Sequence, residues 1–96
     1  MLPKNRPPTH PGEMLLKEFL EPLGVTQKVF ARHLGWTFAR LNEIVNGRRR
    51  LSVSSALAIG EALQTGPEFW LNLQRDWDLW HCLREHRTVA PLLKAS

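Results

Sequence analysis

Residues 26–51 read TQKVFARHLGWTFARLNEIVNGRRRL, and the spacing inside this stretch decides the fold. Val29, Phe30 and Leu34 supply the apolar face of one short helix, and Leu41 and Ile44, three apart, supply the facing side of a second. Ala31 stands where the two helices press closest, a place that a larger side chain would wedge open. Gly35, four residues later, suits a tight turn that needs positive φ. Thr37 is placed to cap the second helix, and Asn46-Gly47 stops it. The expected helices cover about 26–34 and 37–46. Two short helices joined by a turn of three or four residues, the second free to enter a major groove, form a helix-turn-helix.

Charge points the same way. The stretch holds Lys28, Arg32, Arg40, Arg48, Arg49 and Arg50 against Glu43 alone, a net of +5 within a chain of +4, so the remaining residues are close to neutral. A positive field focused on one motif is the footprint of a nucleic-acid surface, whereas a generally basic protein spreads it.

On either side of the motif the chain reads as helix. The segment MLPKNRPPTH is proline-rich with little to bury and is expected to be a mobile arm over residues 1–10. Leu15, Leu16, Phe19, Leu20 and Leu23 recur at helical spacing from Pro11 and end at Pro22-Leu23-Gly24. A basic loop from Gly47 to Leu51 leads to a helix capped by Ser52, with Val53, Ala56, Leu57, Gly60 and Leu63 assigned to one face. Gly66-Pro67 opens a fifth helix reaching about Glu85. The predicted fold is all-α, a five-helix repressor-like bundle, with a helix-turn-helix domain over 11–86 and a short tail over 87–96.

Several blocks outside the motif carry a more specific likeness. His10-Pro11-Gly12-Glu13, Glu18-Phe19-Leu20-Glu21-Pro22-Leu23-Gly24, Asn42 to Arg49, Pro67-Glu68-Phe69-Trp70-Leu71-Asn72-Leu73-Gln74 and Asp78-Leu79-Trp80 occur in order. Together they resemble the HigA-type antitoxins of the Xre or phage-repressor-like helix-turn-helix class. The resemblance implies a dimer that represses the promoter of a two-gene module and binds a HigB-like toxin, a ribosome-dependent mRNA endonuclease. Two other readings stand beside it. One is a solitary Xre-like transcriptional regulator without a toxin; the other is a protein-interaction module that uses the motif only as scaffold, which the focused charge disfavours.

The site residues follow from the motif. Thr37, Phe38, Ala39, Arg40, Asn42 and Glu43 lie on the outward and amino-terminal side of the second helix and are the candidates for base edges. Arg40 is assigned the bidentate contact to guanine, and Ala39 or Phe38 the thymine methyl. Phe38 stands where the relatives more often have a small polar residue, and covering an apolar edge beside Trp36 is its competing role. Gln27, Lys28, Arg48, Arg49 and Arg50 are the candidates for phosphates, Gln27 because it begins the first motif helix. On the fifth helix Trp70 and Leu73 are expected to close the core, leaving Trp77, Trp80 and Leu83 to meet a second copy or the toxin.

Other chemistries find no support. His81, Cys82 and His86 are neighbours without a fourth ligand, so no metal or cofactor is assigned. His10 and Glu13 read as residues that start a helix and not as an acid/base pair. No nucleophile triad, HExxH or phosphate-binding glycine loop is present, and no enzymatic activity is expected. One cysteine leaves no intramolecular disulfide, no apolar run is long enough for a bilayer, and the amino terminus has no hydrophobic signal core, so the expected compartment is the cytoplasm.

Overall fold

The computed structural model of the protein describes residues 2, 3 and 5–93; Met1 and Lys4 of the expected arm and Lys94, Ala95 and Ser96 of the tail lie outside them. Among the described residues the chain is all-helical. The first helix, α1, consists of an α turn Pro11–Met14, a π-helical stretch Leu15–Leu20 and a closing α turn Glu21–Leu23. Next come α2 (Gln27–Leu34), α3 (Phe38–Val45), α4 (Val53–Leu63) and α5 (Pro67–Glu85).

The π stretch has a local cause. Pro22 has no N–H to donate, and its ring needs space in the preceding turn. Widening that turn supplies the space, and Glu21 N–H donates five residues back, to Leu16 O. Gly24 (φ 68°) then ends the helix in the left-handed region.

The caps are placed as the sequence indicates. The hydroxyls of Thr26, Thr37 and Ser52 accept from the N–H groups of Val29, Arg40 and Ser55, at 3.2, 3.1 and 3.2 Å. Gly35 has φ 75°, and Gly66 leads into Pro67 at the first turn of α5. Each such side-chain cap is worth about 1 kcal/mol, enough to fix where helices this short begin.

Leu15, Leu20, Phe30, Ala31, Leu41, Ile44, Ala56, Ile59 and Trp70 form the buried centre, with Leu73 packed against it. Three assignments of apolar faces need correction. Val29 points to solvent, and Phe30, Ala31 and Leu34 make the inner side of α2. On α4 the inner side is Ser55, Ala56, Ile59 and Gly60, while Val53 and Leu57 are exposed. Leu23, at the end of α1, is exposed as well. The reason is common to all three: one helix face fills the small core, and the surplus aliphatics remain outside.

The amino-terminal segment, expected to be a mobile arm, lies along α5. Trp80 Nε1 donates to Pro3 O at 2.7 Å, and Pro3, Arg6, Pro7, Pro8 and Thr9 border a hollow closed by Glu13 and Trp77. Its last residue, His10, is buried and caps α1, its Nδ1 accepting from Gly12 N–H at 2.9 Å. Indole and imidazole edges thus give a proline-rich segment a surface to pack on.

Candidate nucleic-acid interface

Helices α2 and α3 meet across Ala31, which is 2% exposed, and the turn Gly35-Trp36-Thr37 between them is fixed by Trp36 N–H donating to Ala31 O. The first turn of α3 therefore stands clear of the bundle. Phe38 is 51% exposed and Ala39 is exposed, so an aromatic face and a methyl are offered to whatever fills the space before α3. Thr37 accepts from Arg40 N–H, and its hydroxyl proton remains available to an outside acceptor.

Arg40 is placed differently from the sequence reading. Its guanidinium carbon lies 3.9 Å from the centroid of the Trp36 ring, and its Nη2 donates to Ser55 Oγ at 3.0 Å. Ser55 is buried and also accepts from Ser52 Oγ, so Arg40 ties the recognition helix to the start of α4. Asn42 is likewise engaged: its Nδ2 donates to Gln27 Oε1 at 3.0 Å, and its Oδ1 accepts from Asn46 Nδ2. That bond bridges the two motif helices and leaves the amide NH2 of Gln27, at the start of α2, without a partner among the described residues. Lys28 beside it is exposed.

The three loop arginines are not equivalent. Among the described residues Arg48 makes no side-chain hydrogen bond or ion pair. Arg49 Nη2 meets Glu43 Oε1 at 3.0 Å, an ion pair that holds the one anion of the motif at its rim. Arg50 pairs with Asp78 on α5. The loop itself is anchored by Gln74, a buried residue whose Oε1 accepts from Leu51 N–H at 2.7 Å and whose Nε2 donates to Asp78. The sequence places Gln74 and Asp78 in the blocks that carry the family likeness but gives neither a part in holding the basic loop; their spacing of four along α5 is the one available sign that they act together.

On α5, Trp77 and Trp80 sit on the side that receives the arm. Trp77 makes edge contacts with the His10 ring at 4.9 Å, and the Arg84 guanidinium lies 3.1 Å over Trp80. Both indoles are half-buried. Leu83 is 54% exposed, and Leu79, not singled out from the sequence, is 45% exposed. The arm uses the indoles that sequence reading gave to a partner.

A bundle whose second short helix projects its first turn, with amide donors on one flank and a free arginine on the other, has the layout of a DNA-reading domain. The comparisons agree. The helix-turn-helix family pattern matches residues 16–70. Antitoxin HigA-1 of Vibrio cholerae is 38% identical over 89 residues, covering 93% of this chain and 84% of that protein. This chain belongs to the helix-turn-helix family of HigA-type antitoxins. Among solved structures, antitoxin GraA superposes with a TM-score of 0.80 at 39% identity, covering 85% of this chain and 88% of that one. The Pseudomonas aeruginosa antitoxin HigA bound to the higBA promoter gives 0.81 at 32% identity, over 90% and 99%. The family acts by binding DNA and not by catalysis. No described helix of this antitoxin is long and apolar enough to cross a membrane.

Proposed function

We propose that this antitoxin is a cytoplasmic homodimer that binds double-stranded operator DNA upstream of its own genes and neutralises a HigB-like, ribosome-dependent mRNA endonuclease. The DNA half rests on the projecting first turn of α3. Phe38 and Ala39 are free there to meet thymine methyls, with Thr37 and the Glu43 carboxylate beside them for polar base edges. Gln27 and Lys28 take phosphates on one flank, and Arg48 and Arg49 on the other, Arg50 joining them when it leaves Asp78. Arg40 acts by positioning α3, since reaching a guanine would require it to leave both Trp36 and Ser55. Asn42 contributes through Gln27, whose amide it aims. The toxin half is supported by the likeness to HigA antitoxins, with the arm and the adjacent side of α5 as the contact surface.

The test is a gel-shift titration across salt, with the DNA upstream of the gene and a scrambled duplex. Specific binding should exceed scrambled, and log affinity should fall with log salt by roughly 0.9 for each phosphate neutralised. Arg48→Ala should flatten that slope by about one contact on both duplexes. Arg49→Ala should weaken binding further, because it also leaves Glu43 unpaired against the DNA. Equal affinity for both duplexes in the native protein would refute operator reading. For the toxin half, co-expression with the product of the adjacent gene should rescue growth, and the rescue should survive Arg48→Ala. Loss of toxin binding in that variant while circular dichroism shows it folded would refute the separation of the two surfaces. A solitary regulator without a toxin is what remains if no neighbouring gene encodes one.

A further inference from the structure

The outward face of α3 has committed most of its polar groups inside the chain. Guanine and adenine are read in the major groove by two-pronged donors, an arginine fork or a side-chain amide. Arg40 has its guanidinium on the Trp36 ring and Ser55 Oγ, and Asn42 has its amide bonded at both ends, to Gln27 and Asn46. Glu43 accepts only, and already meets Arg49. What the first turn leaves uncommitted is apolar: the Phe38 ring, 51% exposed, and the exposed Ala39 methyl. Among the described residues no other ring packs against Phe38, and the Trp36 ring is stacked by Arg40 instead. The Cα–Cβ bonds of a helix tilt towards its amino end, so residues 38 and 39 project past the start of α3, the end that recognition helices put against base edges.

We infer that Phe38, with Ala39 next to it, selects a pyrimidine by its 5-methyl group, so that thymine and 5-methylcytosine are interchangeable at the contacted position of the operator. The inference rests on the operator reading proposed above and names what that reading discriminates. The methyl of thymine is the one alkyl group on a base edge of the major groove, and unmodified cytosine lacks it. Methylation of cytosine at carbon 5 puts the same group at the same point of the groove. The two bases differ at position 4, where thymine has an oxygen acceptor and cytosine an amino donor. Thr37 is the polar residue next to Phe38, and its hydroxyl serves either: Oγ accepts from Arg40 N–H and keeps a proton to donate and a second lone pair to accept. A free guanidinium at this place would instead enforce guanine and be blind to the methyl. Cytosine-5 methylation of the DNA thus converts a pair that this antitoxin rejects into one that it binds.

Fluorescence anisotropy on the full chain tests this, with the duplex that footprinting defines in the DNA upstream of the gene. Each thymine is replaced in turn by deoxyuridine, which removes the methyl and nothing else. A contacted T·A pair is then replaced by C·G, with and without the 5-methyl. For the native protein, deoxyuridine at one place in each half-site should lower affinity about fourfold per methyl lost. Unmodified cytosine there should bind more weakly than thymine, and 5-methylcytosine should regain about that fourfold. In Phe38→Ala, its fold checked by circular dichroism, both methyl effects should vanish, and Phe38→Leu, still apolar, should keep them in part. A methyl felt only through the shape of the duplex would persist in Phe38→Ala, and that persistence overturns the assignment. No gain from 5-methylcytosine at a position where deoxyuridine weakens binding overturns the interchange of bases. A native protein that tolerates deoxyuridine everywhere, yet prefers operator to scrambled duplex, overturns methyl reading and leaves operator reading standing. Equal binding of operator and scrambled duplex overturns both.

Discussion

Arg40 shows how a side chain assigned to a base edge from its charge and position can be engaged within its own chain. An arginine three residues into a recognition helix is well sited for guanine, but Trp36 presents its ring four residues earlier and Ser55 presents an oxygen from another helix. A stacked, hydrogen-bonded guanidinium is a strut. Arg40→Ala should therefore weaken operator binding by about 1–3 kcal/mol. It should lower the preference at every base pair together and reduce thermal stability as well; binding to a panel of single-base operator variants checks this, and loss of discrimination at one pair alone would restore the base-reading role. His10 gives a pH-dependent counterpart. Burial holds its pKa below 6.5; Asp78 and Glu13 oppose the shift and His81 adds to it. The unfolded chain binds the proton more readily, so the contribution of His10 is complete above about pH 6.5 and is lost as pH falls towards the lower folded value. Protonation also removes the Nδ1 acceptor that caps α1. Urea unfolding between pH 7.5 and 5 should show a falling midpoint, and His10→Asn, which keeps a capping oxygen without titrating, should flatten it.

At the scale of elements, the motif was legible because its determinants are local. Thr26, Thr37 and Ser52 cap the helices that follow them, and Gly35 and Gly66 adopt the positive φ that their positions demand. What the sequence hid involves contacts between distant segments. Helical periodicity finds the apolar residues of α5 but does not say that the arm takes Trp77 and Trp80 and leaves Leu79 and Leu83 bare. Likewise, it shows that Val53 and Leu57 are apolar, but not that Ser55 fills the inner position beside them. The close packing of α1 on α3 was equally invisible. A Cβ on Gly12 would lie 1.8 Å from Ile44 O, and one on Gly60 would lie 2.5 Å from the backbone of Gly66. Backbone at both sites must move to admit a methyl, so Gly12→Ala should cost at least the upper end of the roughly 1–3 kcal/mol range for overpacking. Denaturant midpoints measure it, and a change below about 0.5 kcal/mol would show that α1 slides freely on α3.

For the whole molecule, the basic loop has one end on each surface. Arg49 is held by Glu43 of α3, while Arg50 and Leu51 are fastened to α5 through Asp78 and Gln74. Asp78 also borders the open apolar groove between α5 and the start of α4. A phosphate that captures Arg50 therefore strips the counter-charge from the rim of that groove, and a neighbour that recruits Asp78 releases Arg50 for phosphate. Asp78→Asn should leave Arg50 free, steepen the salt dependence of DNA binding by up to about one phosphate contact, and shift the dimer constant in the same variant. Binding free energies around such a loop must close on themselves: the factor by which operator changes self-association equals the factor by which self-association changes operator affinity. Promoter occupancy then follows the concentration of antitoxin more steeply or more shallowly than one-site binding would, and the sign of that departure is set at a single ion pair 28 residues apart in sequence.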